Sequence, residues 1–87
     1  MSKTVLIVED KEDSRVLLKV LVKMSGYEPV LAEDGQEAIE MAKEHSPSLI
    51  FMDLSMPVMD GIEATEVLRS CEGFADTPIV ALTAYGE

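Results

Sequence analysis

Short apolar runs rich in β-branched residues alternate along the chain with stretches whose apolar positions recur at helical spacing. The runs lie at about 4–8, 28–32, 49–53 and 78–83 and read as strands. Stretches at about 12–25, 35–45 and 61–71 carry the helical period. In the second of these, Ala38, Ile39, Met41 and Ala42 stand opposite Glu37, Glu40, Lys43 and Glu44. Punctuation supports the division: Gly26 is placed to stop the first helix, Asp34-Gly35 opens the second, and Pro47 follows it. Gly61 opens the third after the turn-forming stretch from Met56 to Asp60. The order β-α-β-α-β-α-β predicts an α/β fold on a parallel sheet. The first and third runs are nearly continuously apolar, as central strands covered on both faces should be. Without an internal repeat, a low-complexity tract or a linker, residues 1–87 read as one domain, a (βα)3β unit.

Both central runs end abruptly on acids. Thr4-Val5-Leu6-Ile7-Val8 stops at Glu9-Asp10, and Leu49-Ile50-Phe51-Met52 stops at Asp53. A carboxylate at the end of a buried strand is costly unless a cation or a reaction justifies it. If the first and third strands are neighbours, the chain reverses direction between them, and ligands bind in the crevice at their carboxyl ends. Glu9, Asp10 and Asp53 would face that crevice, and Thr83 would join from the next strand. Close carboxylate pairs repel by about 4 kcal/mol at an effective dielectric of 20.

A hard divalent ion removes that repulsion, and Mg²⁺ suits one or two carboxylates, a carbonyl and several waters. Asp10, Asp53 and the Ser55 backbone carbonyl are the expected ligands, with Glu9 binding directly or through water and Pro57 fixing the loop. The ion would also orient a phosphoryl group for in-line attack by the Asp53 carboxylate, since aspartyl phosphates are an established covalent form. Thr83 either hydrogen-bonds a phosphoryl oxygen or simply satisfies backbone at a strand end.

Composition narrows the field. The chain is 87 residues long, 47% hydrophobic and 28% charged, a globular balance. Its net charge of −10 argues against nucleic acid as a direct ligand. Cys71 is the only cysteine, which excludes an internal disulfide or a zinc cluster and fits a reducing compartment. The first apolar run is too short for a signal peptide, and no stretch approaches a membrane span, so a cytoplasmic protein is expected. His45, near the end of the second helix, reads as a helix-terminal residue facing the dipole rather than as a phosphorylation site.

Three motifs together resemble the receiver domain of two-component response regulators. They are Glu9-Asp10 after the first strand, Asp53 within Met52-Asp53-Leu54-Ser55-Met56-Pro57-Val58-Met59-Asp60-Gly61, and Leu82-Thr83-Ala84 after the fourth strand. The resemblance runs through the whole chain and implies a flavodoxin-like three-layer fold with strand order 2-1-3-4. It implies that Asp53 accepts a phosphoryl group from a histidine kinase or a histidine phosphotransfer protein. It further implies Mg²⁺ bound by Asp10, Asp53 and the Ser55 carbonyl, Thr83 as the switch hydroxyl, and Ser55 and Tyr85 at positions tuning dephosphorylation. Catalysis would then be limited to the chain's own aspartyl phosphorylation and dephosphorylation.

Against that family, the 87 residues carry no counterpart of the fourth helix, fifth strand, fifth helix or active-site lysine. Lys3 and Lys11 do not match the lysine's position, so phosphorylation is expected to be slow at best. The first helix has Val16, Leu17, Leu18, Val20, Leu21, Val22 and Met24 apolar, with only Lys19 and Lys23 polar between them. So wide an apolar surface implies a second packing partner. The fourth strand reads as interior yet would lie at a sheet edge. A homodimer or swapped oligomer through helix 12–25 and strand 78–83 is therefore expected. The main rival function is a non-catalytic, self-associating module derived from a receiver domain. An aspartyl phosphohydrolase would need an acid where Ser55 stands. A flavin protein would need a phosphate loop where Glu9-Asp10-Lys11-Glu12-Asp13 lies.

Overall fold

Residues 3–53, 61–70 and 77–82 are described by the computed structural model. In chain order they form β1 (Thr4–Val8), α1 (Glu12–Met24), β2 (Glu28–Ala32), α2 (Gly35–His45), β3 (Leu49–Asp53), α3 (Gly61–Ser70) and β4 (Ile79–Leu82). The four strands make one parallel sheet in the order β2-β1-β3-β4. In register, Val8 lies beside Ala32 on one side and Met52 on the other, so β1 and β3 end together.

Side chains alternate across the pleat. Leu6, Val8, Ile50 and Met52 face α2 and α3, where they are fully buried with Ala38, Ala42 and Leu68. Val5 and Ile7 point the other way, towards Val22 of α1, with Leu49 and Phe51 half-buried beside them. Two helices thus cover one face and one helix the other, as right-handed crossovers with this strand order require.

The helix ends follow from local chemistry. At the end of α1, the Gly26 amide donates to the Lys23 carbonyl and the Tyr27 amide to the Val22 carbonyl. This Schellman arrangement needs a left-handed residue, and Gly26 supplies it at φ 92°. Asp34 caps α2, its Oδ1 accepting from the Glu37 amide at 2.8 Å, while Glu37 Oε1 accepts from the Glu33 amide at 2.6 Å. The first bond satisfies one of the amides that a helix start leaves open, and the second ties the residue before the cap to the first turn.

The single-helix face is incompletely covered. Leu17, Leu21 and Met24 of α1 are 58%, 49% and 78% exposed, and a cavity of about 190 Å³ opens between α1 and the sheet beside Val5, Leu18 and Phe51. β4 lies at the sheet edge with Val80 42% exposed. Among the described residues, both features match the sequence expectation of a broad apolar surface on the first helix and a fourth strand at the sheet edge. Observed elements differ from the expected spans by one residue at the end of α1 and at the start of β4, and the expected last residues of α3 and β4, 71 and 83, lie outside the described residues. For α1 the reason is the Ser25 cap, whose amide is shared by the Leu21 and Val22 carbonyls.

Candidate metal centre and phosphoacceptor pocket

β1 delivers the first two acids and β3 the third. The Glu9 amide donates to the Ala32 carbonyl at 3.0 Å, which extends the β1–β2 ladder one residue beyond the strand. The carboxylate of Glu9 is thereby held at the sheet rim, where the residue is only 8% exposed. Its Oε2 accepts from the Lys11 amide at 3.2 Å. Asp53, the last residue of β3, is 5% exposed. One carboxylate oxygen from each of Glu9, Asp10 and Asp53 lies within 4.8 Å of the others.

A carboxyl withdrawn from water beside other acids resists ionisation, and Glu9 is so placed. The Glu9 carboxyl is raised from 4.5 to about 7, chiefly by burial and then by hydrogen bonding with, and repulsion from, Asp53. A hydrogen bond with Asp10 adds to the rise, and the Lys11 amide opposes it. Among the described residues, Asp10 Oδ1 is a buried side-chain oxygen with no hydrogen-bond partner. An unmet buried acceptor on a residue whose carboxylate clusters with two more fits a hard divalent cation, which prefers oxygen donors and would relieve the repulsion.

The fold brings Glu9, Asp10 and Asp53 together at the ends of adjacent strands, where the sequence reading placed them. Ser55, Pro57, Thr83 and Tyr85 lie outside the described residues. Lys3 and Lys11 are both exposed.

Arg15 escaped the sequence reading. Its Nη1 donates to the Glu9 carbonyl oxygen at 3.0 Å, and its Nη2 lies 3.9 Å from Glu33 Oε2. The side chain is 14% exposed, whereas every other lysine and arginine of the chain is exposed. A signal was present in the sequence: Arg15 follows Glu12 and Asp13 at the start of a helix, where the macrodipole disfavours a cation. A positive charge placed there against that field points to a specific partner.

The response regulator receiver domain family matches residues 5–87. The chain belongs to that family. A receiver similar in sequence is the polar-differentiation response regulator DivK of Brucella ovis, 41% identical over 85 residues that span 98% of this chain and 69% of DivK. DivK of Brucella anthropi is 40% identical with the same coverage. Among solved structures, the chemotaxis protein CheY4 of Vibrio cholerae matches with a TM-score of 0.93 at 32% identity, covering 100% of this receiver and 72% of CheY4. The receiver domain of sensor histidine kinase PA1611 from Pseudomonas aeruginosa PAO1, solved with a magnesium ion coordinated in its active-site cleft, matches with a TM-score of 0.92 at 33% identity. That match covers 98% of this chain and 70% of the other. The parallel sheet in order 2-1-3-4 and its three-layer arrangement are therefore those of a CheY-like receiver.

Proposed function

We propose that this receiver is a phosphoacceptor signalling module in which Asp53 takes a phosphoryl group from a phosphohistidine of a histidine kinase or phosphotransfer protein. The observation that carries this reading is the convergence of three withdrawn carboxylates at the carboxyl ends of two adjacent parallel strands. In the step itself, an Asp53 carboxylate oxygen attacks phosphorus in line. The new O–P bond forms as the P–N bond to the donor imidazole breaks, and the imidazole nitrogen leaves with the electron pair and takes up a proton.

Mg²⁺ is the cofactor the donor set favours, with Asp10, Asp53 and the Ser55 carbonyl as ligands and Glu9 close by or bridged by water. When bound it supplies charge neutralisation for the crowded acids and the incoming phosphoryl oxygens. The magnesium reported in the cleft of the Pseudomonas receiver supports that choice. Thr83 is assigned the switch hydroxyl, and Ser55 and Tyr85 the tuning of dephosphorylation, with Pro57 shaping the loop. None of the 87 residues matches the family's active-site lysine, whose contact would be worth about 1.5–3 kcal/mol. This stretch by itself is therefore assigned slow phosphorylation at best. Its setting is cytoplasmic; among the described residues no helix is long and apolar enough to cross a membrane.

Incubation with Mg²⁺ and acetyl phosphate tests the reading. Mass spectrometry should show one phosphoryl adduct on Asp53, absent from Asp53→Asn and abolished by EDTA. An unmodified wild-type chain after prolonged incubation, with no response to beryllofluoride either, overturns it.

A second reading, self-association without phosphoryl chemistry, is favoured by a separate observation: the exposed apolar side of α1 and the open edge of β4. A homodimer or swapped oligomer through helix 12–25 and strand 78–83 would cover both. Light scattering should show a mass that doubles with concentration. A strict monomer throughout the micromolar range would remove this reading.

A further inference from the structure

We propose that Arg15 is a positioning residue for the cation site, holding the Glu9–Asp10 turn so that its carboxylates converge with that of Asp53. The inference rests on the reading of the acid cluster as a divalent-cation centre. Its geometric basis is separate from the acids themselves. Arg15 reaches back from the first turn of α1 to the Glu9 carbonyl at 3.0 Å, while the Glu9 amide is fixed to Ala32 at 3.0 Å. The two peptide groups flanking Glu9 are thus tied at both ends, one to the sheet and one to the helix. The second of these joins Glu9 to Asp10, so its plane sets where the Asp10 side chain starts. A guanidinium bond to a carbonyl in a partly buried place is charge-assisted and directional. The contact with Glu33 is long, and Glu33 is 69% exposed, so it orients the guanidinium without adding much energy.

Charge alone predicts the opposite effect. A guanidinium near a cation site repels the cation, so its removal would tighten metal binding if electrostatics dominated. Positioning predicts weaker binding, because partners that orient metal ligands commonly contribute 10- to 100-fold in affinity. The sign of the change therefore separates the two.

The test uses the 87-residue chain, with Mn²⁺ as a paramagnetic probe of the site and Mg²⁺ as competitor. Arg15→Met should weaken Mn²⁺ binding about tenfold. Arg15→Lys, which can still donate to the Glu9 carbonyl, should recover most of that loss. Melting temperature in EDTA, and its rise at saturating Mg²⁺, supply the second readout. Positioning requires the rise to shrink in Arg15→Met; a purely structural residue would lower the EDTA value and leave the rise intact. Arg15→Gln replaces Arg15→Met if the latter does not fold, and failure of both to fold overturns the proposal in favour of a structural role. Binding as tight as wild type or tighter in Arg15→Met also overturns it. Absence of Mn²⁺ and Mg²⁺ binding in the wild type would instead defeat the reading of the cluster as a cation site.

Discussion

Replacing Glu9 by Gln should stabilise the metal-free protein at neutral and alkaline pH. In the unfolded chain the carboxyl titrates at 4.5, and in the fold at about 7. Between those values the folded state keeps a proton that the unfolded state has released, so stability falls as pH rises through the interval. Below 4.5 the contribution is fully present; above 7 it is gone. The displacement corresponds to about 3 kcal/mol, a large share of the roughly 5–15 kcal/mol that holds a domain together. Gln fills the same space, still accepts from the Lys11 amide, and carries no charge to desolvate beside Asp53.

Urea denaturation of both proteins in EDTA at pH 5 and pH 8 gives the comparison directly, because midpoints convert to free energy through a common slope. The advantage of Glu9→Gln should grow by about 2–3 kcal/mol between the two pH values, with other acids cancelling in the difference. Saturating Mg²⁺ at pH 8 should reduce or reverse that advantage, since the ion favours the ionised cluster and the variant has lost one of its charges. If Glu9→Gln is no more stable than wild type at pH 8 in EDTA, Glu9 does not carry a buried, crowded charge. The electrostatic case for the site would then fail.

Leu68, fully buried between α3 and the sheet, should cost about 2–5 kcal/mol as Leu68→Ala, measured by urea denaturation. Asp34→Ala removes the cap that accepts from the Glu37 amide and should cost about 0.5–2 kcal/mol, read by the same method. Gly26→Ala should cost about 1–2 kcal/mol from its φ of 92° alone, because the added methyl would meet nothing within 4 Å. Leu17→Glu with Met24→Glu, on the exposed side of α1, should abolish self-association in light scattering and leave Mn²⁺ affinity within about twofold of wild type, as exposed substitutions usually shift free energy by no more than about 0.5 kcal/mol.

What the sequence revealed depended on the range of the forces involved. Strand order was legible because residues 5–8 of β1 and 49–52 of β3 are continuously apolar, as strands covered on both faces at a sheet centre are. The acid cluster followed from that order, since adjacent parallel strands must end at the same rim. Helix boundaries were legible to a residue where glycine or a capping acid sets them, as at Gly26 and Asp34. The end of α1 was placed one residue late because Ser25 keeps near-helical dihedrals while serving as the cap. Arg15 was missed for a different reason. Its role depends on the direction of one long side chain, which pattern and spacing do not encode; only its unfavourable place in the helix field hinted at it.

The uneven covering of the sheet has a consequence for how site and surface relate. Leu6, Ile7, Val8, Ile50 and Met52 are all fully buried, so β1 is packed on both faces and β3 on its α2–α3 face, while Leu49 and Phe51 on the other face of β3 stay half-buried. Most of the exposed large apolar side chains among the described residues, Leu17 and Met24 foremost, belong to α1. Covering Leu17 and Met24 with a second molecule would bury apolar surface on a helix that carries none of the three acids. Arg15 is the exception, because it is the one described side-chain hydrogen bond joining α1 to the turn that carries the acids. Any binding event that shifts the first turn of α1 must act on the Glu9 carbonyl through that guanidinium. If the acid cluster binds a cation and Arg15 couples it to α1 as proposed, reciprocity requires cation binding to bias the position of α1 by the same free energy.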